Sequence, residues 1–459
     1  MDGYFPRWSL KTEGTIMPDE RLPPGQTVVL GLQHVVAMFG ATVLAPILMG
    51  FDPNVAIFFS GVATLIFFAA TGGRVPSYLG SSFAFIGPVL AATGATVGQP
   101  NPNIGLALGG IVAAGVVYTA IGVIVMVAGH RWVERLMPPA VTGAIVAAIG
   151  LVLAPIAIGS ASSTGPTDPN GSGFARFVAL LTVVAVGAVA VYAPGLWRRL
   201  PILIGGAIGY FAYLALANGM GLGSPIDFSK VGAAAWLGLP NFAKPVFSGG
   251  AISLIAPVAI ILVAENLGHI KAIGAMTGRN LDPLLGRAFL GDGVATMVSG
   301  SFGGTGVTTY AENMGVMAVT RIYSTLLFVA AALIAILLGF SPKFGALIQT
   351  IPVPVLGGLS IVVFGLIAAT AGRIWVENRV DFSDPRNLIT VAVALVLGAG
   401  NFKLTLGGFT LDGIGTATFG AILLYHLLNQ ALPPAGTRAP RGSGGVATRE
   451  PPHLSPLAG

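Results

Sequence analysis

Three carboxylates stand where a chain rarely tolerates charge. Glu265, Asp292 and Glu312 lie inside long apolar runs, whereas most of the 17 acidic residues fall in loops, tails or segment ends. A charged side chain at a bilayer centre costs roughly 2.5–3.5 kcal/mol on insertion scales, so it is a functional candidate by default. Glu265 and His269, in Val263-Ala264-Glu265-Asn266-Leu267-Gly268-His269, are four residues apart and share one helix face. A carboxylate and an imidazole within reach can share or pass a proton near neutral pH. The alternative is a buried Glu–His pair that only ties two helices. Glu312 follows a glycine-broken stretch, so a helix starting there presents free N–H groups beside it. Asp292, in Gly291-Asp292-Gly293, also fits a cap or a tie between helices. His34, in Leu32-Gln33-His34, reads as a helix–helix tether rather than a ligand.

The elements that must position these groups are membrane spans. Only 40 of 459 residues are charged, 23 basic and 17 acidic. An average soluble protein of this length would carry roughly 115. So few charges cannot cover a water-facing surface, and the mean hydropathy is +0.84. The 66 glycines and 32 prolines follow no collagen period and suit close-packed transmembrane helices. Cysteine is absent, which excludes disulfides, thiolate metal sites and Cys nucleophiles. A net charge of +6 would point a soluble protein toward nucleic acid; here it reflects basic loops.

Apolar stretches of spanning length occupy 26–49, 53–71, 76–96, 104–128, 138–159, 174–193, 200–221, 251–273, 287–302, 305–320, 322–340, 351–371, 386–401 and 406–429. The predicted architecture is an all-α polytopic membrane protein of about fourteen segments, with 287–302 and 305–320 short and glycine-broken. Lys and Arg alternate with the loops. If every segment crosses, 18 basic residues lie on the side of the N-terminus and 5 (Arg176, Lys230, Lys244, Lys343 and Lys403) on the other. That split places both termini in the cytoplasm. Residues 1–25 form a polar tail without the layout of a cleaved signal peptide, and 431–459, rich in Pro, Gly, Arg and Ser, read as a disordered tail.

The chain also repeats. Met137-Pro138-Pro139-Ala140-Val141-Thr142-Gly143 and Ile351-Pro352-Val353-Pro354-Val355-Leu356-Gly357 open segments five and twelve with Pro, Val and Gly at matching offsets. Segments three and ten carry Ser77-Tyr78-Leu79-Gly80-Ser81-Ser82-Phe83-Ala84-Phe85 and Gly303-Gly304-Thr305-Gly306-Val307-Thr308-Thr309-Tyr310, both poorly suited to a plain helix. A repeat of seven spans is inverted, because an odd number of crossings flips the second copy. Inverted repeats with matched broken helices point to a secondary transporter whose site lies near the midplane. The alternative is that such glycine-rich segments are only packing faces. No Walker A, HExxH or GxSxG pattern occurs, and Gly413-x-Gly415 lacks the third glycine of a dinucleotide fingerprint. An ATP-driven pump and a membrane enzyme are therefore unsupported, and a proton remains as the coupling ion, with no metal or cofactor.

At these residues the chain resembles a family. Glu312-Asn313-Met314-Gly315-Val316-Met317-Ala318-Val319-Thr320-Arg321 resembles the signature of the nucleobase–ascorbate transporters, or nucleobase:cation symporters: Gln or Glu, Asn-x-Gly, four residues, Thr and a basic residue. Gln33-His34 resembles the first-helix motif. The stretches 78–85 and 264–269 resemble the substrate segments of bacterial uracil permeases, and 276–283 resembles permeases of the Rut pyrimidine-utilisation pathway. The resemblance covers roughly residues 20–430.

It implies two inverted seven-helix repeats with short strands in segments three and ten. It also implies a core domain (26–137 and 251–350), a gate domain (138–250 and 351–430) and a homodimer in the bilayer. Glu265 and Glu312 would hold the nucleobase, His269 would support binding and proton coupling, and Phe83 and Tyr310 would pack on the ring. The amides of Phe83 and Ala311 would bond its carbonyls; Ala311 stands where a typical uracil permease has Gly, and Asn266 where a His is common. Gln33, His34, Asp292 and Asn313 are structural or coupling candidates. Uracil has two N–H donors and two carbonyls, which suit acceptor-only carboxylates and free backbone N–H groups. Purine-selective relatives often carry Gln at the Glu312 position, so Glu favours a pyrimidine. The implied function is proton-coupled import of uracil across the bacterial inner membrane by alternating access. A xanthine or purine permease of the same family, or an anion transporter on the same fold, is the alternative.

Overall fold

Without water, a backbone must satisfy its own hydrogen bonds, so apolar runs fold as helices. The computed structural model describes residues 3–163, 170–195, 197–406 and 409–430. Its helices are α1 (Pro24–Met49), α2 (Pro53–Ala70), α3 (Ile86–Thr93), α4 (Ile104–Ala128), α5 (Arg131–Leu136), α6 (Pro139–Ala161), α7 (Gly171–Tyr192), α8 (Pro201–Leu214) and α9 (Ser229–Ala233). They continue as α10 (Gly249–Ile255), α11 (Val258–Thr277), α12 (Leu285–Ser301), α13 (Ala311–Thr320), α14 (Thr325–Gly339), α15 (Pro342–Ile348), α16 (Val353–Glu377), α17 (Pro385–Ala399) and α18 (Gly413–Gln430). Three two-stranded ladders join β1 (Ser9–Leu10) to β2 (Glu20–Arg21), β3 (Leu79–Ser81) to β4 (Val307–Thr309), and β5 (Leu404–Leu406) to β6 (Phe409–Leu411).

Among the described residues, eight helical stretches are long and apolar enough to cross a membrane, or nine if α14 and α15, bent by 87°, form one span. The chain is a multi-pass membrane protein. The other apolar segments are short or interrupted, most clearly where β3 and β4 replace helix.

Two groups of helices form. One packs α4 on α12, α2 on α12 and α14, and α1 on α14. The other centres on α6 against α16, flanked by α7, α8, α17 and α18. Glycine sets the closeness of these contacts. A Cβ at Gly293 would come within 2.5 Å of the Thr119 backbone, and one at Gly122 within 2.5 Å of the Leu290 backbone. The α4–α12 contact is thus backbone on backbone, the small-residue packing that membrane helices use when no hydrophobic drive joins them.

The N-terminal segment is built into the molecule. Ile16 pairs with Ile322 and is 1% exposed, Trp8 Nε1 donates to Thr325 Oγ1 at 3.0 Å, and Arg279 holds Asp19 at 2.5 Å. The expected disordered tail, 431–459, lies outside the described residues.

Gly293→Val should force α4 from α12 and destabilise the protein by roughly 1–3 kcal/mol, the usual cost of overpacking. Gly187→Ala on α7, where a Cβ meets nothing within 4 Å, should not. Thermal unfolding of the purified variants in detergent checks both.

Candidate functional site

The site is built on the antiparallel crossing of β3 and β4, with Leu79 opposite Thr309, Gly80 opposite Thr308 and Ser81 opposite Val307. Two strands leave two outer edges, which in a membrane need partners. Hydroxyls on the flanking helices supply them. Leu79 N–H donates to Thr64 Oγ1 of α2 at 3.0 Å, and Val307 N–H to Thr296 Oγ1 of α12 at 3.3 Å. Ser299 Oγ donates to the Thr305 carbonyl at 2.6 Å. Each strand then runs into a helical turn: Ser82 caps the turn beginning at Phe83, and Tyr310 precedes α13. Phe83 and Ala311 are therefore first residues of helical turns, whose N–H groups have no partner within the turn.

Tyr310 locks the crossing. Its ring lies where a Cβ on Gly80 would be, within 2.4 Å, so only glycine fits there. Its hydroxyl donates to the Ser81 carbonyl at 2.9 Å and accepts from Thr42 Oγ1 at 3.2 Å, and the residue is 3% exposed. Phe83 is half-buried and meets Phe364 of α16 edge to face, with centroids 5.9 Å apart, so it spans the two helix groups.

Glu265 of α11 and Glu312 of α13 come close enough to act on each other electrostatically, with the Thr308 hydroxyl beside Glu265. No cation pairs with either carboxylate among the described residues. Two such groups hold together only if a proton or donor groups of a ligand offset their repulsion. Ala311, Gly268 and Gly315 are exposed, and a Cβ at Gly268 or Gly315 would meet nothing within 4 Å.

Glu265 and His269 share a helix face as their spacing requires, but no bond joins them. His269 Nδ1 instead meets Thr309 Oγ1 at 2.8 Å, because β4 crosses α11 at that turn. Asp292 makes a tie: its Oδ2 accepts from Asn266 Nδ2, and from Tyr118 OH at 3.3 Å, joining α12 to α11 and α4. His34 is also a tether. Asn313 Nδ2 contacts His34 Nδ1 at 3.0 Å and donates to its carbonyl at 3.1 Å, joining α1 to α13. Gln33, half-buried beside it, makes no side-chain hydrogen bond among the described residues.

Tyr118, Asn266 and Thr309 had no role assigned from the sequence. A tyrosine inside the apolar run 104–128 and an asparagine next to Glu265 were the available signals. Nothing local linked either to Asp292, 174 and 26 residues away.

A family model described as "Permease family" (Xan_ur_permease) matches residues 25–407. The chain belongs to this family. Membership bears out the resemblance read from the signature and makes the chain a transporter rather than an enzyme. Among curated relatives, the chain is 64% identical over 432 residues to a protein of Escherichia coli K12 named for pyrimidine permease activity, RutG, covering 93% of this chain and 96% of that one. It is 43% identical to the uracil permease of Paenibacillus larvae (90% and 96% covered) and 40% identical to that of E. coli K12 (92% and 96%). Solved structures share the fold at low identity. Murine Slc26a9, an anion transporter in an inward-facing state, matches at 12% identity with a TM-score of 0.64, over 92% of this chain and 69% of that one. The transmembrane domain of the cyanobacterial bicarbonate transporter BicA matches at 17% with a TM-score of 0.58, over 87% and 97%.

Tyr310→Phe keeps the ring over Gly80 but strips the Ser81 carbonyl of its donor. Leaving a buried acceptor unpaired should cost about 1–3 kcal/mol. A lower melting temperature with insertion retained is the expected result.

Proposed function

We propose that this permease is a proton-coupled symporter that imports a pyrimidine nucleobase, most naturally uracil, by alternating access. The observation that carries the reading is the donor–acceptor pattern at the strand crossing. Two carboxylates without a cation face the site, and two helical turns begin there with unpaired N–H groups. Uracil offers the complement: two ring N–H donors and two carbonyls. Glu265 and Glu312 take the N–H groups, while the amides of Phe83 and Ala311 take the carbonyls. Phe83 and Tyr310 flank the ring. A proton on the Glu265–His269 side or on Glu312 neutralises the site as the base binds. The names of the curated relatives support the same substrate class.

The architecture proposed is fourteen crossings in two inverted repeats. Its support is the way contacts map onto themselves seven segments on: α4 on α12 matches α14 on α2, and α7 on α8 matches α17 on α18. Thr64 and Thr296 serve β3 and β4 from corresponding helices. The group containing the strands is the core, the α6–α16 group is the gate, and the core moves against it. With both termini in the cytoplasm of a bacterial cell, the basic loops face inward. The working form is a homodimer in the inner membrane. An anion substrate fits less well, since no cation lies beside the two carboxylates; the likeness to anion transporters concerns fold alone.

Glu265→Gln should insert normally and lose uptake of labelled uracil driven by an inward proton gradient. Wild-type uptake should collapse with a protonophore and be displaced by thymine more readily than by xanthine or uric acid. Normal uptake by the variant, or indifference to the protonophore, would sink the assignment.

A further inference from the structure

The segment before α1 lies across the ends of helices that are far apart in sequence. At the end of α2, Tyr4 OH donates to the carbonyls of Ala69 and Ala70 at 2.8 and 2.9 Å. Phe5 and Trp8 stack on Phe68, with centroids 5.7 and 5.9 Å away. A Cβ on Gly72 would come within 2.6 Å of the Tyr4 carbonyl, so α2 ends without a side chain where the segment crosses. The Arg287 guanidinium of α12 sits over the Tyr4 ring at 5.2 Å. At the start of α14, Thr325 Oγ1 donates to the Pro18 carbonyl at 3.0 Å while accepting from Trp8. After α13 the contact is backbone: Ile16 N–H donates to the Arg321 carbonyl at 3.0 Å, and the Ile16 carbonyl accepts from Tyr323 N–H at 2.8 Å. Among the described residues, no hydrogen bond from 3–23 reaches α6, α7, α8, α16, α17 or α18. We propose that residues 3–23 are a fixed clasp: they hold the far end of α13, and through it Glu312, in place against α2 and α14, and they keep that hold throughout transport.

α13 needs such a hold. It has ten residues, carries Glu312 in its first turn, and packs on α1 and α11. Ala311, Gly315, Ala318 and Val319 are exposed, so one face of the helix has no support. Asn313 ties the first turn to α1 through His34. The other end stops at Arg321, whose backbone is left-handed with φ 55°. A residue other than glycine keeps that conformation only where its surroundings over-determine it. The Ile16 ladder does so, since it bonds the carbonyl of Arg321 itself and the N–H of Tyr323 two residues on. A helix of this length is a rigid rod of about 15 Å, so fixing one end sets the direction of the other. A lid held by side-chain tips can release by rotamer changes. This segment is held by a backbone ladder around Ile16, which is 1% exposed. Release would unpair buried backbone groups and uncover Ile16, so the clasp stays closed while the two helix groups move.

The chain has no cysteine, so an engineered pair reports alone. Ile16 and Ile322 are ladder partners, which puts their Cα atoms about 5 Å apart, within disulfide reach. Oxidised Ile16→Cys/Ile322→Cys protein should take up labelled uracil at the rate of the reduced form. Uptake lost on oxidation and regained on reduction would show that the segment must let go, and would overturn the clasp. Ile16→Pro removes the N–H that bonds Arg321. Amide exchange over 316–320 should then quicken by about tenfold, the effect of losing one backbone hydrogen bond, and uracil affinity should fall with it. Trp8→Ala frees the segment from α2 and serves even if Ile16→Pro does not fold. It should act in the same direction, and adding the oxidised cysteine pair should restore both readouts. Unchanged exchange in these variants, or faster exchange with unchanged uracil affinity, would overturn the proposal. The uptake and affinity arms rest on the transport reading, whereas exchange needs no substrate. Wild-type protein with a protected α13 that takes up no nucleobase supports the clasp and overturns the transport reading alone.

Discussion

An antiparallel pair of three-residue strands inside a membrane protein is under one overriding constraint: every backbone N–H and C=O away from water needs a partner. The β3–β4 crossing meets it with side chains from the helices on either side, Thr64 on α2 and Thr296 and Ser299 on α12. The rest of the structure is arranged around that solution. α2 and α12 must lie close to the strands, and α4 and α14 close over them, which glycine-lined contacts permit. Breaking the helices is what frees N–H groups at Phe83 and Ala311, so the feature that is hardest to accommodate is also the one that makes a polar site.

The same scaffold carries different cargoes. Anion transporters share the fold at 12–17% identity. On this chain the scaffold carries Glu265 and Glu312 within electrostatic reach of each other, with no cation paired to either among the described residues. A fold of broken helices offers N–H groups to any ligand with acceptors. The added carboxylates demand donors as well, and so narrow the ligand to one with both. Function here is a property of a few side chains at a crossing rather than of the helices that hold it.

Much of this was legible in the sequence, because bilayer physics is unusually strict. Apolar runs marked the helices, and 77–85 and 303–310 stood out as poorly suited to a plain helix; that they form strands was implied by the family resemblance. Glu265 and Glu312 stood out as charges at membrane depth. What escaped notice depends on contacts between distant segments. Asn266 looked neutral in consequence until α12 brought Asp292 against it, and His269 looked paired with Glu265 until β4 placed Thr309 in reach. The anchoring of residues 3–23 was hidden for another reason: short polar segments carry no periodicity, and Ile16 pairs with Ile322 across 306 residues.

The central claim is that two neighbouring carboxylates bind a neutral base with the help of a proton. The most direct measurement is calorimetric titration of uracil into the purified protein in buffers of different ionisation enthalpy. Such titrations count protons exchanged on binding. The account predicts net proton uptake with uracil, lost in Glu265→Gln. Binding of uracil with no proton exchanged across the neutral pH range would contradict it.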